Sequence, residues 1–401
     1  MPFKTLLLII NFLLLLTFNA FAHNKPLNKN QIVSYFKENG EKEFTIIPVS
    51  TLGATECSYF IAEYADGKKK FIKTGEKVDL EVKNLNLLQP FNLTSIPLMY
   101  KESSHNILIS EYLNYPHAGN DAVNKLYNDF NLNEFIEFQE KVFLALKELY
   151  DIQVNNKSSK TRMFKDRAEE RIKDLIKDNT IHKLGLSLKE IVETDIIYNH
   201  HNYIPSIEKM TKNVISILND LPEVNNKRVI HGDFHPPNIT MDINYNIKLI
   251  DLSDIKYNED PSWDLGKWLN FIKRFHWVVK LRSDKYSSNE NYNHLKENIR
   301  VNFKDNKFFV SDSYVKPNVI KYINDKAIEK FAEITKEDKY LIEIRSAAAE
   351  YIVNLSTLKR HLHHYPETFE IVLYCVIDSY LNFIEKWNEY KKQTNRKYFN
   401  R

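Results

Sequence analysis

Glycine and cysteine are both scarce in this chain. It has 8 Gly among 401 residues, beside 23 Tyr and 24 Phe, which predicts compact, aromatic-rich packing with few glycine loops. The two cysteines, Cys57 and Cys375, lie far apart and form no Cys-x-x-Cys pair, so neither a zinc site nor a redox motif is supported. We expect two buried or unpaired thiols, and a single disulfide between them stays open.

A strong excess of charge of one sign is also lacking. The net charge is +3 and the pI is about 8.4, which is too mild to indicate nucleic acid as a partner. It fits an anionic ligand such as ATP, as it fits many other ligands. The hydrophobic content of 43% and charged content of 27% are ordinary for a folded globular protein. The length suggests two or three domains.

Long apolar runs are absent except near the N-terminus. Lys4 precedes the mostly apolar run Leu6–Phe18, and Ala20-Phe21-Ala22 follows. This order predicts a signal peptide over residues 1–22, cleaved after Ala22, and a secreted or periplasmic protein. A membrane span needs about 20 apolar residues, yet an uncleaved anchor formed by residues 6–18 is the alternative. No later run could span a bilayer, so we expect a soluble mature protein without stable membrane insertion.

Residues 23–113 carry the pattern of a small sheet, which we interpret as an N-terminal lobe. Asp66-Gly67 between two apolar runs predicts a hairpin, because both residues tolerate positive φ. Four β-rich runs and one helix are predicted in this region: Phe44–Val49, Ser58–Tyr64, Lys70–Thr74 and Ile107–Leu113 as strands, and Asp79–Gln89 as the helix.

Residues 114–401 turn largely helical, and we interpret them as a C-terminal lobe. Leu132–Tyr150, Ile207–Leu221 and Ala327–Tyr390 have apolar residues near a helical period. Residues 282–312 are polar and rich in Asn, Lys and Ser, which predicts a long loop or an insertion. The fold class predicted is therefore α+β, with a small β-rich lobe followed by a larger, mainly helical lobe.

The most informative stretch is His231-Gly232-Asp233-Phe234-His235-Pro236-Pro237-Asn238. Asp251 follows inside Ile250-Asp251-Leu252, and Asp260-Pro261-Ser262-Trp263-Asp264-Leu265 comes next. Phosphoryl transfer asks for such groups, since one carboxylate must orient a hydroxyl and accept its proton. A carboxamide oxygen and a second carboxylate can hold magnesium against a triphosphate.

These three linked pieces resemble the aminoglycoside phosphotransferase and choline kinase superfamily, which has a bilobal, protein-kinase-like fold. The resemblance is strongest over residues 228–266. It implies that Asp233 is the catalytic Asp and that Asn238 and Asp251 bind Mg²⁺. It also implies structural support of the catalytic loop by His231 and Asp264.

The resemblance also implies that the N-terminal lobe contains nucleotide-binding residues. Lys73 would hold the α- and β-phosphates, with Glu81 as its ion-pair partner and Asp79 as the competing partner. The turn after Gly53 has one glycine where the family's phosphate-covering turn has more. The other expected nucleotide contacts are two hydroxyls and the segment linking the lobes: Thr55, Ser58, Glu111, Tyr112 and Leu113.

The function implied is an exported kinase that uses ATP, or GTP, and Mg²⁺ to phosphorylate a hydroxyl of a small molecule. A non-catalytic nucleotide-binding module of the pseudokinase kind is the alternative, as is a secreted kinase that modifies a protein or a host metabolite. Export conflicts with the need for ATP, because a bacterial periplasm holds little of it. Neither the substrate nor the oligomeric state can be read from the sequence.

Overall fold

The structure is a computed structural model that describes most of the chain. The described residues are 26–49, 57–75, 77–100, 103–104, 106–129, 131–152, 163–182, 185–199, 201–275, 298–312, 318–365 and 368–399. The residues of the predicted signal peptide, and Thr55, lie outside these ranges.

Helices occur throughout the described part of the chain and make up most of its second half. In chain order they are α1 (Lys29–Glu38), α2 (Val78–Leu88), α3 (Ala118–Asp129), α4 (Leu132–Tyr150), α5 (Met163–Ile176), α6 (Leu188–Glu193), α7 (Ile207–Asp220), α8 (Ser262–Asn270), α9 (Asn318–Thr335), α10 (Lys339–His364) and α11 (Phe369–Phe399). Short 3-10 helices lie at Pro236–Asn238 and Leu252–Asp254, and a π-helix at Phe271–Phe275 continues α8.

The strands have three to eight residues each, and the shortest ones lie outside the N-terminal region. They are β1 (Phe44–Val49), β2 (Cys57–Tyr64), β3 (Lys69–Gly75), β4 (Ile107–Glu111), β5 (Ile196–Tyr198), β6 (Asn202–Ile204), β7 (Arg228–Ile230), β8 (Ile239–Met241), β9 (Ile247–Leu249), β10 (Lys256–Glu259), β11 (Ile299–Lys304) and β12 (Lys307–Asp312).

The chain folds into two compact units. The first contains the described residues up to Pro116 together with Thr240–Asp254, and the second contains His117–Ile239 and the residues from Ile255 onward. The segment that carries Asp251 is therefore part of the first unit, although 123 residues of the second unit precede it in the chain. The predicted division after residue 113 stays a prediction.

The first unit is built on an antiparallel sheet in the order β1-β2-β3-β4. Asp66-Gly67 turns the chain between β2 and β3, where Gly67 has φ +83° and Tyr64 N–H donates to the Lys68 carbonyl at 2.9 Å. Helix α1 packs its buried face on this sheet. The resulting core is apolar throughout and comprises Ile32, Phe36, Ile46, Phe60, Ala62, Ile72, Ile107 and Ile109.

The second unit has an aromatic core around α4 and α8. The Trp268 ring stacks on Phe234 at 5.4 Å between centroids and meets the edge of Phe143 at 5.8 Å. Phe234 belongs to the 231–238 stretch, so one residue of that loop is anchored in the core. This anchor sets where the neighbouring Asp233 lies.

Part of the polar stretch 282–312 is a sheet, so the prediction of a loop over its last residues was wrong. Strands β11 and β12 pair with each other, and β12 pairs in parallel with β5, giving the order β11-β12-β5-β6. In β11 the buried Ile299 and Val301 alternate with the exposed Arg300 and Asn302, and in β12 the buried Phe308 and Val310 flank the half-buried Phe309. The buried residues of each strand therefore lie on one face of the sheet. β5 supplies the distant strand that pairs with the edge of β12.

The fold class predicted from the sequence, a β-rich region followed by a mainly helical one, is confirmed. The strand Phe44–Val49 and the helix Leu132–Tyr150 have the bounds that were predicted. Neither Cys57 nor Cys375 forms a disulfide. Within the described ranges, no helix has the length and apolar character that crossing a membrane requires.

Candidate active site

A buried ion cluster lies in the first unit. Lys73 on β3 places its ammonium 2.7 Å from Glu81 Oε2 and 2.8 Å from Asp251 Oδ1. Glu81 comes from α2, and Asp251 follows β9. Three of the predicted site residues, 178 positions apart in sequence at the widest, thus share one contact. Glu81, and not its competitor Asp79, is the residue on α2 that pairs with Lys73.

The electrostatics of this cluster keep Lys73 charged. Burial by itself would lower the pKa of Lys73, but the adjacent carboxylates of Glu81 and Asp251 hold that pKa well above its ordinary value. Burial raises the pKa of Glu81, against the opposing charge of Lys73. A buried ammonium with two carboxylate partners is a fixed positive charge, which is suited to an anionic ligand such as a phosphate.

Asp251 has a left-handed backbone conformation. Its φ is +59°, in a region that costs most residues with a Cβ about 1–2 kcal/mol and that Asp tolerates better than most. The next residues are tied down by α2, because Leu252 N–H donates to Glu81 Oε1 at 3.3 Å and Asn84 Nδ2 donates to the Leu252 carbonyl at 2.7 Å. These bonds stabilise the turn, as is common where a functional side chain must be aimed.

The 231–238 loop lies in the second unit and follows β7. Asp264, in the first turn of α8, accepts hydrogen bonds from the backbone amides of His231 at 2.9 Å and Gly232 at 2.8 Å. Tyr150 O–H donates to the same carboxylate at 3.1 Å, and Trp263 Nε1 donates to the Gly232 carbonyl at 3.0 Å. Burial raises the pKa of Asp264. The carboxylate thus satisfies two buried amides of the loop.

Asp233 is held from several sides. Asn238 Nδ2 donates to the Asp233 carbonyl at 2.9 Å and contacts its Oδ2 at 3.3 Å, and His235 Nε2 lies 3.4 Å from Oδ2. The ammonium of Lys267 donates to Oδ1. Burial would raise the pKa of Asp233, but the charge of Lys267, with that of His235, lowers it well below its ordinary value. The carboxylate is therefore ionised at neutral pH and can accept a hydrogen bond from a hydroxyl.

Asn238 has its side chain buried in the 3-10 turn after Pro236-Pro237. Both of its contacts with Asp233 use the amide nitrogen, and the carboxamide oxygen takes no part in them. Oxygen donors are what a hard cation prefers. Among the described residues, no group of three or more His, Cys, Asp or Glu could hold a metal. Mg²⁺ does not need one, because it is commonly bound by one or two carboxylates together with phosphate oxygens and waters.

The remaining residues that were predicted to contact the nucleotide differ in their structural surroundings. Ser58 lies on β2 opposite Thr74. Glu111 ends β4, and its Oε1 accepts from Leu98 N–H at 3.0 Å and lies 3.1 Å from the Lys248 ammonium. Tyr112 has the Lys69 ammonium 5.6 Å from its ring centre, and Leu113 follows it. His231 is buried within the loop, where its Nδ1 accepts from Asp233 N–H at 3.3 Å.

The sequence reasoning missed Lys267 and Tyr150. Lys267 lies three positions after Asp264 on a helix, a spacing that puts both side chains on one face. That spacing was the available signal, since a residue that braces the loop implies that its helical neighbour also faces it. Tyr150 had no such signal, because 114 residues separate it from Asp264.

Similarity to known proteins is found in the structure and not in the sequence. No family model matches the sequence, and no curated protein matches it either. A choline kinase from Cryptosporidium parvum Iowa II is similar, with a TM-score of 0.50, 11% identity, and 92% of this chain and 97% of that one covered. The chain has the kinase-like fold of this structure.

Two further structures support this fold. The ADP-bound aminoglycoside phosphotransferase APH(2'')-Ib has a TM-score of 0.50 at 14% identity, with 90% of this chain and 99% of that one covered. A putative aminoglycoside phosphotransferase from Ralstonia eutropha JMP134 has a TM-score of 0.50 at 11% identity, with 91% and 98% covered. The resemblance predicted from residues 231–265 is thereby confirmed at the level of the fold.

Proposed function

We propose that this protein is a kinase that transfers a phosphoryl group from ATP, with Mg²⁺, to a hydroxyl group of a small molecule. The fold supports this proposal, since structures of the same fold are choline kinases and aminoglycoside phosphotransferases. One of them holds ADP, which supports a nucleotide as the phosphoryl donor.

The observation that carries the proposal is the Lys73–Glu81–Asp251 cluster. The buried Lys73 ammonium has two carboxylate partners from different elements. The second, Asp251, comes from a turn with φ +59°, and its side chain is 30% exposed. A partly exposed Asp beside a buried ammonium offers both a cation for phosphates and an oxygen donor for a metal. Lys73 is the proposed phosphate contact, with Glu81 as the group that holds it in place.

Asp233 is the proposed catalytic residue. Its carboxylate is ionised and fixed by the loop, so it can orient an acceptor hydroxyl and take its proton as the bond to phosphorus forms. Because phosphoryl transfer requires little covalent chemistry of the protein, catalysis rests largely on positioning, to which the support of this loop by Asp264 contributes.

Asn238 and Asp251 are the proposed Mg²⁺ ligands, and Mg²⁺, when bound, would neutralise the developing charge on the phosphate oxygens. Ser58, Glu111, Tyr112 and Leu113 remain proposed contacts of the nucleotide. The acceptor is a small molecule in this proposal, and nucleic acid is not expected as a partner, given the net charge of +3.

Thermal unfolding with Mg-ATP is the test of nucleotide binding. A ligand at about a hundred times its dissociation constant stabilises the native state by about 2.7 kcal/mol. We expect the unfolding midpoint of the wild type to rise with Mg-ATP, less so with ATP and EDTA, and not in Asp251→Ala. Asp254→Ala is a matched control, because Asp254 is also 30% exposed, lies three residues further on and has its oxygen 3.8 Å from the Lys77 ammonium, a longer distance than that between Asp251 and Lys73.

The outcomes separate two functions. A Mg²⁺-dependent shift in the wild type and in Asp254→Ala, lost in Asp251→Ala, supports the kinase and justifies screening hydroxyl acceptors by ADP release. Binding without transfer to any acceptor or to water would indicate a nucleotide-binding module of the pseudokinase kind. A well-folded wild type with no shift would contradict both.

Export through the N-terminal segment is part of the proposal. Lys4, the apolar run Leu6–Phe18 and Ala20-Phe21-Ala22 support a signal peptide. Mass spectrometry of the N-terminal peptide in culture supernatant and membrane fractions tests it. A mature N-terminus at His23 supports cleavage, whereas retention of Met1–Ala22 in the membrane fraction would favour an anchor.

A further inference from the structure

Helix α8 contacts the 231–238 loop through Trp263, Asp264, Lys267 and Trp268, and of these four side chains Lys267 is the one that bonds to the Asp233 carboxylate. Asp264 accepts from the amides of His231 and Gly232 at 2.9 and 2.8 Å. Lys267, three residues further along the same helix face, donates from its ammonium to Asp233 Oδ1. One rigid helix therefore holds both the backbone of the loop and its carboxylate.

Lys267 is not an ordinary surface lysine. Its side chain is 15% exposed, and its ammonium lies 6.0 Å from the ring centre of Trp263. Trp263 in turn donates to the Gly232 carbonyl at 3.0 Å. A lysine that gives up most of its hydration needs a fixed partner, and the carboxylate of Asp233 is that partner.

The backbone that carries Lys267 cannot easily shift. A Cβ added at Gly266 would lie 2.4 Å from Ala349 Cβ and 2.6 Å from the Ser346 carbonyl oxygen, so α8 lies directly against α10 at this residue. Lys267 therefore projects towards the loop from a backbone pinned on another side by α10.

The two oxygens of Asp233 have different partners. Oδ2 is contacted by His235 at 3.4 Å and Asn238 at 3.3 Å, which both belong to the loop itself. Oδ1 is contacted by Lys267, from outside the loop. Contacts within the loop fix the carboxylate relative to the loop backbone, whereas Lys267 ties it directly to α8.

We propose that Lys267 is a positioning residue for Asp233, which holds the carboxylate in the one orientation that can receive the acceptor hydroxyl. The role rests on the proposed kinase function, because it acts through Asp233. Lys267 binds neither nucleotide nor metal in this assignment. Its effect is on the rate of transfer and not on the affinity for ATP.

Release of phosphate from Mg-ATP, with water as acceptor, provides the test. We expect Lys267→Met to lower kcat about tenfold or more while the KM for Mg-ATP changes less than twofold. Lys267→Arg, which keeps the charge, should recover most of the loss. In an Asp233→Asn background, Lys267→Met should have no further effect on kcat.

Lys273→Met is the matched control. Lys273 is 11% exposed and pairs with Glu350 at 2.8 Å in the same unit, so this variant also removes a nearly buried ammonium from a carboxylate. It should lower the unfolding midpoint and leave kcat unchanged. If Lys267→Met behaved like Lys273→Met, or if it lowered kcat by the same factor in the Asp233→Asn background, the proposal would be overturned.

Failure of the proposed kinase function would give a different experimental result from failure of the positioning role. A wild type that neither releases phosphate nor gains stability from Mg-ATP overturns the proposed function, and the positioning role falls with it. A wild type that releases phosphate, with Lys267→Met as active as the parent, overturns only the positioning role.

Discussion

Asn84 donates its side-chain amide to the carbonyl of Leu252 at 2.7 Å, which ties the helix that carries Glu81 to the residue directly after Asp251. The Lys73 cluster is therefore stabilised in two ways: by its own ion pairs, and by the hydrogen bond from Asn84 to the Leu252 carbonyl. A group that must keep one geometry while its ligand comes and goes benefits from such support.

Replacing Lys73 by Met should cost both stability and nucleotide binding. The change leaves two carboxylates without their cation, and breaking a buried pair in this way costs about 3–5 kcal/mol. Urea unfolding with and without Mg-ATP measures both effects. Lys70→Met is the control, because Lys70 lies on the same strand, is 16% exposed and pairs with Glu41 at 2.7 Å. The control should lose stability and keep the nucleotide response; equal nucleotide responses would contradict the role of Lys73.

Asp233→Asn should separate binding from turnover. The amide cannot accept a proton from the acceptor, and general-base contributions are about 10²–10⁴-fold in rate. Stabilisation by Mg-ATP should be kept, since no part of the nucleotide is assigned to Asp233. Single-turnover transfer and thermal unfolding of the same preparation check this prediction. Transfer at the wild-type rate would show that another group does the chemistry.

Asp264→Ala should destabilise the protein more than Tyr150→Phe. The alanine leaves the amides of His231 and Gly232 buried without acceptors, and each unsatisfied group costs about 1–3 kcal/mol. Tyr150→Phe removes one hydroxyl from the carboxylate and should cost about 1 kcal/mol. Denaturant unfolding gives both values, and similar losses in the two variants would mean that the amides find other acceptors.

Glu259 should make stability depend on pH. It ends β10 opposite Arg228, and burial, with the nearby carboxylates of Asp260 and Asp166, raises its pKa to about 7. The native state therefore favours the protonated form, and this contribution is present below the unfolded pKa of about 4.5 and is lost as the pH rises through about 7. Glu259→Gln should gain stability relative to the wild type over that window.

Unfolding midpoints from pH 4.5 to 8 test the sign. Glu190→Gln is the opposite control, because hydrogen bonds from Ser187 lower the pKa of Glu190. Relative to the wild type its loss of stability should be complete by about pH 4.5, the ordinary pKa of that carboxyl, and should stay constant from there to pH 8. Parallel curves for wild type and Glu259→Gln would show that Glu259 titrates normally in the native state.

Gly266→Ala should weaken the support that α8 gives to the 231–238 loop. The added methyl group would meet Ala349 Cβ at 2.4 Å and the Ser346 carbonyl at 2.6 Å, so α8 must move away from α10. Overpacking of this kind costs about 1–3 kcal/mol. Since α8 carries both Asp264 and Lys267, we expect turnover to fall with stability. A variant with full turnover and lowered stability would show that the loop tolerates the shift.

The sequence predicted the site residues better where the residues that form a motif are close together in the chain. The stretch from His231 to Asn238 was recognisable because its residues are adjacent, and Lys73 because a strand and turn precede it. The contact of Lys267 with Asp233 spans 34 positions and depends on how α8 meets the loop, whereas the spacing from Asp264 indicates only the helix face that Lys267 shares with it. Strands β11 and β12 were missed for a related reason, since Arg300, Asn302 and Lys304 make β11 look polar and the partner of β12 is β5, far away in the sequence.

The parallel pairing of β12 with β5 also has a consequence for engineering the chain. Three pairs, Phe308 with Ile196, Phe309 with Ile197 and Val310 with Tyr198, cover one side of the short β5–β6 hairpin. Deleting residues 299–312 as a dispensable insertion would expose that side as an open strand edge. Such an edge can recruit strands from other copies of the protein, so the shortened chain is expected to aggregate before it loses its fold.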